Sequence, residues 1–454
     1  MKNKSGFPIL YPNAAGIDIA SREHYVAVNP QADAQPIRCF GCFTEDLHAI
    51  AQWLLACKVD TVAMEATGIY WVSLYLVLEQ AGLHPILVNA HHVKNVSGKK
   101  TDVKDAEWIR QLHSCGLLSA GFQPDAFTRT LRTLLRHRQN LTEMAATHIR
   151  MMQKAMEQMN IKLHQVIADI TGKSGQAIIA AILKGEQRPE VLVKLLDGRI
   201  KAGREVVLKS LEGVYKAEHL FELQQSFELY EVYRQKVQQC DEQIRAHLTT
   251  GIYMMAPQQA NNKEQQEDKA GIKKRRSKGN KNNLGFDATA LLEQLAGVDL
   301  TEIFGITDTN ALEIISEVGV DMSKWPTPKH FTAWLKLAPN NKVSGGKLLS
   351  SRTPKRKNRA GQLFKMAAYA IQRSDHWLAH FYHRIRSRRG AAKAITATAR
   401  KIAVIFYKLL REKTAFQPLS IEQYNQAFKE KQIRKLTKQA HQLGLVLVPN
   451  QIVT

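Results

Sequence analysis

The sequence predicts a mixed α/β domain, followed by a long helical coiled coil and a second, mostly α-helical domain. Three observations carry this. Short apolar strand signals alternate with amphipathic helix signals across residues 1–125. Apolar side chains then recur in steps of three and four, the period of a helical seam. The last third is helical and strongly basic, with 14 Lys/Arg and a single acid, Asp375, between residues 351 and 401.

In the first region, "AAGIDIA" is short, apolar and alternating, "SREH" is a turn, and "YVAVN" and "PIRCFGCF" are a second and a third strand. "TEDLHAIAQWLLAC" is an amphipathic helix with Thr44 as its expected N-cap. "DTVAMEA" is a strand, "GIYWVSLYLVLEQAG" a helix and "HPILVNA" a strand. "DVKDAEWIRQLHSCG" is a helix with Asp102 near its start and Gly116 at its stop. The order βββαβαβα builds a mixed sheet with helices packed on it. Cys39 and Cys42 form a lone CxxC without a second pair at zinc spacing, so they read as small apolar strand residues.

Residues 126–255 form the expected coiled-coil oligomerisation region. Ile149, Met152, Met156, Met159, Leu163 and Val166 make one seam, and Leu220, Leu223, Phe227, Tyr230, Val237, Ile244 and Leu248 a second. Two such helices with a helical connection imply an antiparallel or a dimerising coiled coil. Residues 256–285 are poor in apolar side chains and read as a polar, basic linker or insertion, whose "KKRRSK" offers phosphate contacts. Residues 286–415 are a C-terminal helical domain and 416–454 a tail. Within the former, "LAGVDLTEIFGITDTNALEIISEVG" places two helices around "FGIT". That is the pattern of a helix-hairpin-helix, whose helix-start N–H groups meet a phosphate. "NNKVSGGKLLSSRTPKRKNRAG" reads as a glycine-containing basic loop.

The charge balance points to a polyanionic partner. The 454 residues hold 64 Lys+Arg against 41 Asp+Glu, a net +23, and nucleic acid is the commonest partner of such a surplus. No apolar run is long enough to span a bilayer, the N-terminus lacks a signal-peptide core, and five cysteines suit a reducing compartment. A cytoplasmic, nucleoid-associated protein is expected.

Within this basic chain four acids stand out. Asp18 lies mid-strand between Ile17 and Ile19, where an unpaired buried carboxylate costs several kcal/mol. Glu65 ends a strand, the edge at which open α/β sheets place their sites. Asp102 and Asp105, three apart, share one helix face. Converging from two strands and a helix, these carboxylates would make a cage for hard divalent cations. Mg2+ is favoured, as a pair of ions, because it takes carboxylate oxygen and keeps waters that phosphate can replace. Lys99, Lys100 and Lys104 would then face the nucleic-acid backbone, and His91 and His92 lie nearby in sequence.

"GIDIASREHYVAV", "AMEATGIYW", "NAHHVKNVSGKKTDVKDAEWI" and "LAPNNKVSGGK", in this order, resemble the transposases of insertion sequence family 110, branch 1111. The resemblance covers nearly the whole chain. It implies a DEDD-type recombinase with a RuvC-like, RNase H-fold N-terminal domain, the four acids being Asp18, Glu65, Asp102 and Asp105. It implies a nucleophilic serine in a Ser-Gly context, which falls on Ser344, with Ser350 and Ser351 as neighbouring alternatives. It implies a non-coding bridge RNA that pairs with donor and target DNA. It also implies a homo-oligomer, dimer or tetramer, in which the acid site and the serine act in cis or in trans. In the residues themselves, Gly345 and Gly346 let backbone approach a phosphate, and Lys347, Arg352, Lys355, Arg356, Lys357 and Arg359 are placed to hold the strands.

Two other readings compete. A RuvC-like structure-specific endonuclease would use water as nucleophile and have no need of Ser344. A non-catalytic scaffold would bind nucleic acid through the basic C-terminal region alone, without a use for four acids.

Overall fold

A computed structural model describes residues 8–66, 68–88, 102–200, 202–259, 281–354 and 357–448, without the side chains of 102 and 255–259. The chain forms two compact units, Met1–Gln123 and Pro124–Thr454.

The first unit is a five-stranded sheet of β1 (Ala14–Ile19), β2 (Glu23–Ala27), β3 (Ile37–Gly41), β4 (Thr61–Glu65) and β5 (His84–Val88). The strand order is β3-β2-β1-β4-β5. The first three strands meander antiparallel, through the tight turn in which the Ala20 N–H donates to the Glu23 carbonyl. β4 and β5 then join parallel to β1, because helices α1 (Thr44–Ala56) and α2 (Trp71–Gln80) carry the chain back across the sheet. A meander followed by two parallel crossovers is the RNase H-like arrangement. Helix α3 (Asp102–Ser114) completes the unit.

Thr44 is the first helical residue of α1 and not its cap. Phe43 holds the cap position, and its N–H donates to Asp46 Oδ2 at 3.0 Å. An acid three residues into the helix can close the end from inside, which makes a capping hydroxyl dispensable.

Strand alternation gives the sheet two different faces. Ala15, Ile17, Ile19, Val62 and Met64 point to one, where Leu47, Ile50, Leu54, Leu74 and Leu78 of α1 and α2 bury them. Ala63 and Val88 point to the other, against Ile109 of α3 and Leu118. His113, on α3, is buried, and the loss of water around its ring pushes its pKa down to about 4.

The second unit is built on two long helices, α4 (Ala126–Gln158) and α9 (Ala217–Gln259). They run antiparallel. His247 Nε2 lies 2.9 Å from the Phe127 carbonyl, Arg138 pairs with Asp241, and the rings of His148 and Tyr233 stack at 5.4 Å. Met152, Met156, Met159, Leu223, Phe227 and Tyr230 are buried in one core. The methionines therefore pack against the chain's own second long helix and against the short helices that follow α4. The expected seam does not continue as one helix: α4 stops at Gln158, and Leu163 and Val166 lie on a separate turn. Short helices α5 (Leu163–Val166), α6 (Lys173–Leu183), α7 (Pro189–Leu192) and α8 (Arg204–Leu211) close the far end of this hairpin.

Arg138 and Asp241 form a buried ion pair at 2.5 Å. Arg138 also donates to the carbonyls of Asn282 and Asn283, and Asp241 accepts from the Gly285 N–H. This network fastens the chain where it returns from the 260–280 segment. "KKRRSK" lies outside the described residues.

The C-terminal part contains α10 (Thr289–Ala296), α11 (Asp308–Val318), α12 (Pro328–Trp334), β6 (Lys342–Ser344), β7 (Lys347–Ser350), α13 (Arg359–Ala370), α14 (Trp377–Arg389), α15 (Ala391–Glu412) and α16 (Ile421–Gln442). Its core is aromatic: Phe331, Phe364, Tyr382 and Phe406 are fully buried. The two helices around "FGIT" form as expected, and the start of α11 is capped. Thr307 Oγ1 accepts from the Asn310 N–H at 3.2 Å, and Asp308 adds a negative charge in the first turn. The cap takes one of the four N–H groups that a helix start leaves free. Among the described residues no helix is long and apolar enough to cross a membrane.

Candidate functional site

The second face of the sheet carries the acids. Asp18 follows Gly16 by two residues on β1, and Glu65 follows Ala63 by two on β4, so both project to the α3 side. β1 and β4 are parallel neighbours in a register that pairs Gly16 with Ala63 and Ile17 with Met64. Continued by one residue, it sets Asp18 beside Glu65 at the carboxyl ends of the two strands. Both side chains are half-buried.

Three contacts fix the direction of α3 over this face. At its end, His113 Nε2 lies 3.0 Å from Thr61 Oγ1, at the start of β4. There too the N–H groups of Leu10 and Tyr11, just before β1, donate to the Ser114 carbonyl. Midway, Gly16 meets the helix backbone: a Cβ there would lie 2.3 Å from the Arg110 nitrogen and 2.5 Å from the Ala106 carbonyl oxygen. The helix thus runs antiparallel to β1 and β4, and its first turn points toward their carboxyl ends. Asp105, half-buried, directly precedes Ala106, and Asp102 begins the helix one turn earlier. Only glycine at position 16 allows this approach.

The side chain of Asp102 lies outside the described residues, as do Lys99, Lys100, His91 and His92. Among the described residues no group of three His, Cys, Asp or Glu is gathered as a metal cluster. The chemistry of the acid set nonetheless fits a hard cation. Its donors are carboxylate oxygens alone, on two neighbouring strand ends and the facing helix start. Lys104 is exposed on that same first turn.

Ser344 is in the second unit. The segment read as a loop is a two-stranded hairpin, in which Ser344 is the last residue of β6 and pairs with Lys347. The turn between them is Gly345-Gly346, with φ of +53° and +75°. Two consecutive residues of positive φ make the two-residue turn whose twist matches paired strands, and glycine adopts it without strain. Nothing lies within 4 Å of a Cβ built at either glycine. Ser344 and Lys347 are exposed at this tip, and the neighbouring Val343 and Leu349 are 60% and 68% exposed. Ser350 is half-buried and accepts from the Arg352 N–H, while Ser351 is exposed.

Of the basic residues after the hairpin, Arg352 and Lys357 are exposed, and Lys355 and Arg356 lie outside the described residues. Arg359 has a partner within the fold. It approaches Glu317 at 3.4 Å, and Arg136 and Arg132 reach the same carboxylate at 2.8 and 3.5 Å. Glu317 is buried, and a buried carboxylate needs such neutralisation. Gly16 and this Glu317 network do not stand out in the sequence. Gly16 sits within an apolar run, and Glu317 lies 181 residues from its Arg136 partner.

Two family models match the chain in order. A DEDD transposase model covers residues 15–161, which include all four acids. A second, described as Transposase IS116/IS110/IS902 family, covers residues 299–383, which include Ser344. No curated protein matches the chain. The DEDD domain implies use of a divalent metal, and the transposase match implies DNA binding. With an RNase H-like sheet under the first match and a helical domain under the second, this chain belongs to the IS110 family of transposases, enzymes that act on DNA.

Proposed function

We propose that this transposase cleaves and rejoins DNA through a phosphoserine intermediate, with Mg2+ at Asp18, Glu65, Asp102 and Asp105 and a guide RNA choosing the sites. The observation that carries the reading is the shared face of Asp18 and Glu65, toward which α3 directs its acidic first turn. Bound there, divalent cations would supply charge stabilisation to attacking and leaving oxygens. The chain's own residues do the rest. Ser344 Oγ attacks the scissile phosphorus, its proton passes to solvent, and a DNA hydroxyl leaves. A hydroxyl of the strand to be joined later attacks the phosphoserine, and the serine hydroxyl is regenerated. Bond energy is conserved in the ester, so no nucleotide cofactor is needed. The exposed hairpin suits this role, since its tip meets no obstacle. Lys347 at the tip, and Arg352 and Lys357 after the hairpin in sequence, are exposed and would hold the backbone.

The RNA guide rests on the family resemblance and on the +23 charge of the chain, which suits two polyanions as well as one. Base pairing would then choose the sequence, and the protein would read backbone and shape.

The test uses purified protein, labelled DNA spanning the element junction, the flanking RNA and Mg2+, resolved on a denaturing protein gel. The wild type is expected to form a covalent protein–DNA adduct that requires RNA, and Ser344→Ala to form none. Cleavage without an adduct, unchanged in Ser344→Ala, would establish instead a nuclease that uses water at the acid site. Cleavage through an adduct that needs no RNA would remove the guide.

A further inference from the structure

Helices α14, α15 and α16 carry 14 Lys/Arg and three acids, Glu412, Glu422 and Glu430. These cations are not spread evenly. α16 is pinned to α14 near its start: Arg384 lies 3.4 Å from the Phe428 ring centroid and 4.9 Å from that of Tyr424, and donates to the Tyr424 hydroxyl. Trp377 packs on Tyr424 at 5.6 Å, and the Lys401 ammonium of α15 sits 5.9 Å over the Trp377 ring. This clasp draws Lys431, one turn past Phe428, toward Lys401, whose own helix carries Lys408 seven residues on. The Lys401 ammonium is pulled below its usual pKa by burial away from water and by those two neighbours. No carboxylate among the described residues forms an ion pair with any of the three.

Beyond the clasp α16 buries no side chain. Lys431, Lys435 and Lys438 recur at i, i+4 and i+7 and share one exposed face. Lys401 and Lys408, seven apart, make a second row on α15. Each row is about 10 Å long. That length faces roughly six charges of a nucleic-acid duplex. The aromatic rings of the clasp are engaged by Arg384, by Lys401 and by one another, so among the described residues they offer no stacking platform of the kind that single strands use.

We infer that Lys401, Lys408 and Lys431, with Lys435 and Lys438, form a docking surface for the backbone of a DNA duplex, built from residues that belong neither to the acid set nor to the serine hairpin. Like charges gathered without counter-charges repel, and a row of phosphates removes that repulsion. The surface reads no bases. It would hold flanking duplex while chemistry proceeds elsewhere, and it rests on the reading of the chain as a DNA-acting transposase.

The test is fluorescence anisotropy of the full chain in EDTA, with a duplex of about 30 bp and between about 50 and 200 mM salt. Lys401→Gln/Lys408→Gln/Lys431→Gln is expected to lower the slope of log K against log salt by about two to three, roughly 0.9 for each phosphate that the variant no longer neutralises. An unchanged slope overturns the inference, and so does a weakening confined to single-stranded or duplex RNA. A footprint on the wild type guards against a misfolded variant: duplex DNA should protect Lys401, Lys408 and Lys431 from acetylation, and full reactivity would contradict the surface. A wild type that binds no DNA at all would instead count against the transposase reading.

Discussion

Asp18→Asn and Glu65→Gln each lower strand cleavage by at least about 10^3-fold, equivalent to about 4 kcal/mol of transition-state stabilisation. Both substitutions keep the shape of the side chain and remove its charge. The two carboxylates stand side by side at the ends of parallel strands, so each would supply oxygen to the same cations. With one neutralised, the metal loses a ligand and its hold on phosphate oxygens weakens. Stability should change little, since both side chains are only half-buried. Single-turnover cleavage of labelled DNA, beside a thermal melt, separates the two effects. A drop of less than tenfold in either variant would remove that residue from the site.

Gly16→Val should both destabilise the first unit and silence it. A Cβ at this position runs into the backbone of α3, with Arg110 N at 2.3 Å, Ala106 O at 2.5 Å and Arg110 Cα at 2.8 Å. No rotamer change relieves a clash with backbone, so α3 must lift from the sheet. Overpacking of this kind costs about 1–3 kcal/mol or more. The strand itself would favour valine, so intrinsic propensity pushes the other way and any net destabilisation reports the helix. Lifting α3 also carries Asp105 away from Asp18 and Glu65. Denaturant unfolding should show a lower midpoint, and cleavage should fall with it. Wild-type stability in Gly16→Val would mean that α3 does not pack on β1 as described.

Much of this is legible in the residues because period and position carry it. Alternation in "AAGIDIA" and "TVAMEA" sets strands, and a charged residue inside an apolar run draws attention to Asp18. The methionines at steps of three and four announce a seam, and in the structure they pack against α9 and the short helices after α4. Other features depend on contacts that no local pattern encodes. Gly16 owes its role to a helix some 90 residues away in sequence, whose backbone it touches. Arg359 resembles its basic neighbours, yet it faces Glu317 of α11. The hairpin at Ser344 is hidden by its own glycines. "SGGK" reads as a loop until the strands on either side are paired, and then the same two glycines are the turn. At "FGIT" the two helices form as expected, while the Thr307 cap on the second is a contact that the pattern does not show.

If the carboxylates of β1, β4 and α3 hold one cation site, substitutions on the sheet and on the helix weaken the same binding. The most direct measurement is Mn2+ binding by electron paramagnetic resonance, with duplex DNA present, for wild type, Asp18→Asn and Asp105→Asn. Bound Mn2+ is expected in the wild type, with affinity at least about tenfold weaker in both variants, although one residue is on the sheet and the other on the helix. Equal Mn2+ binding in all three proteins would contradict a shared site.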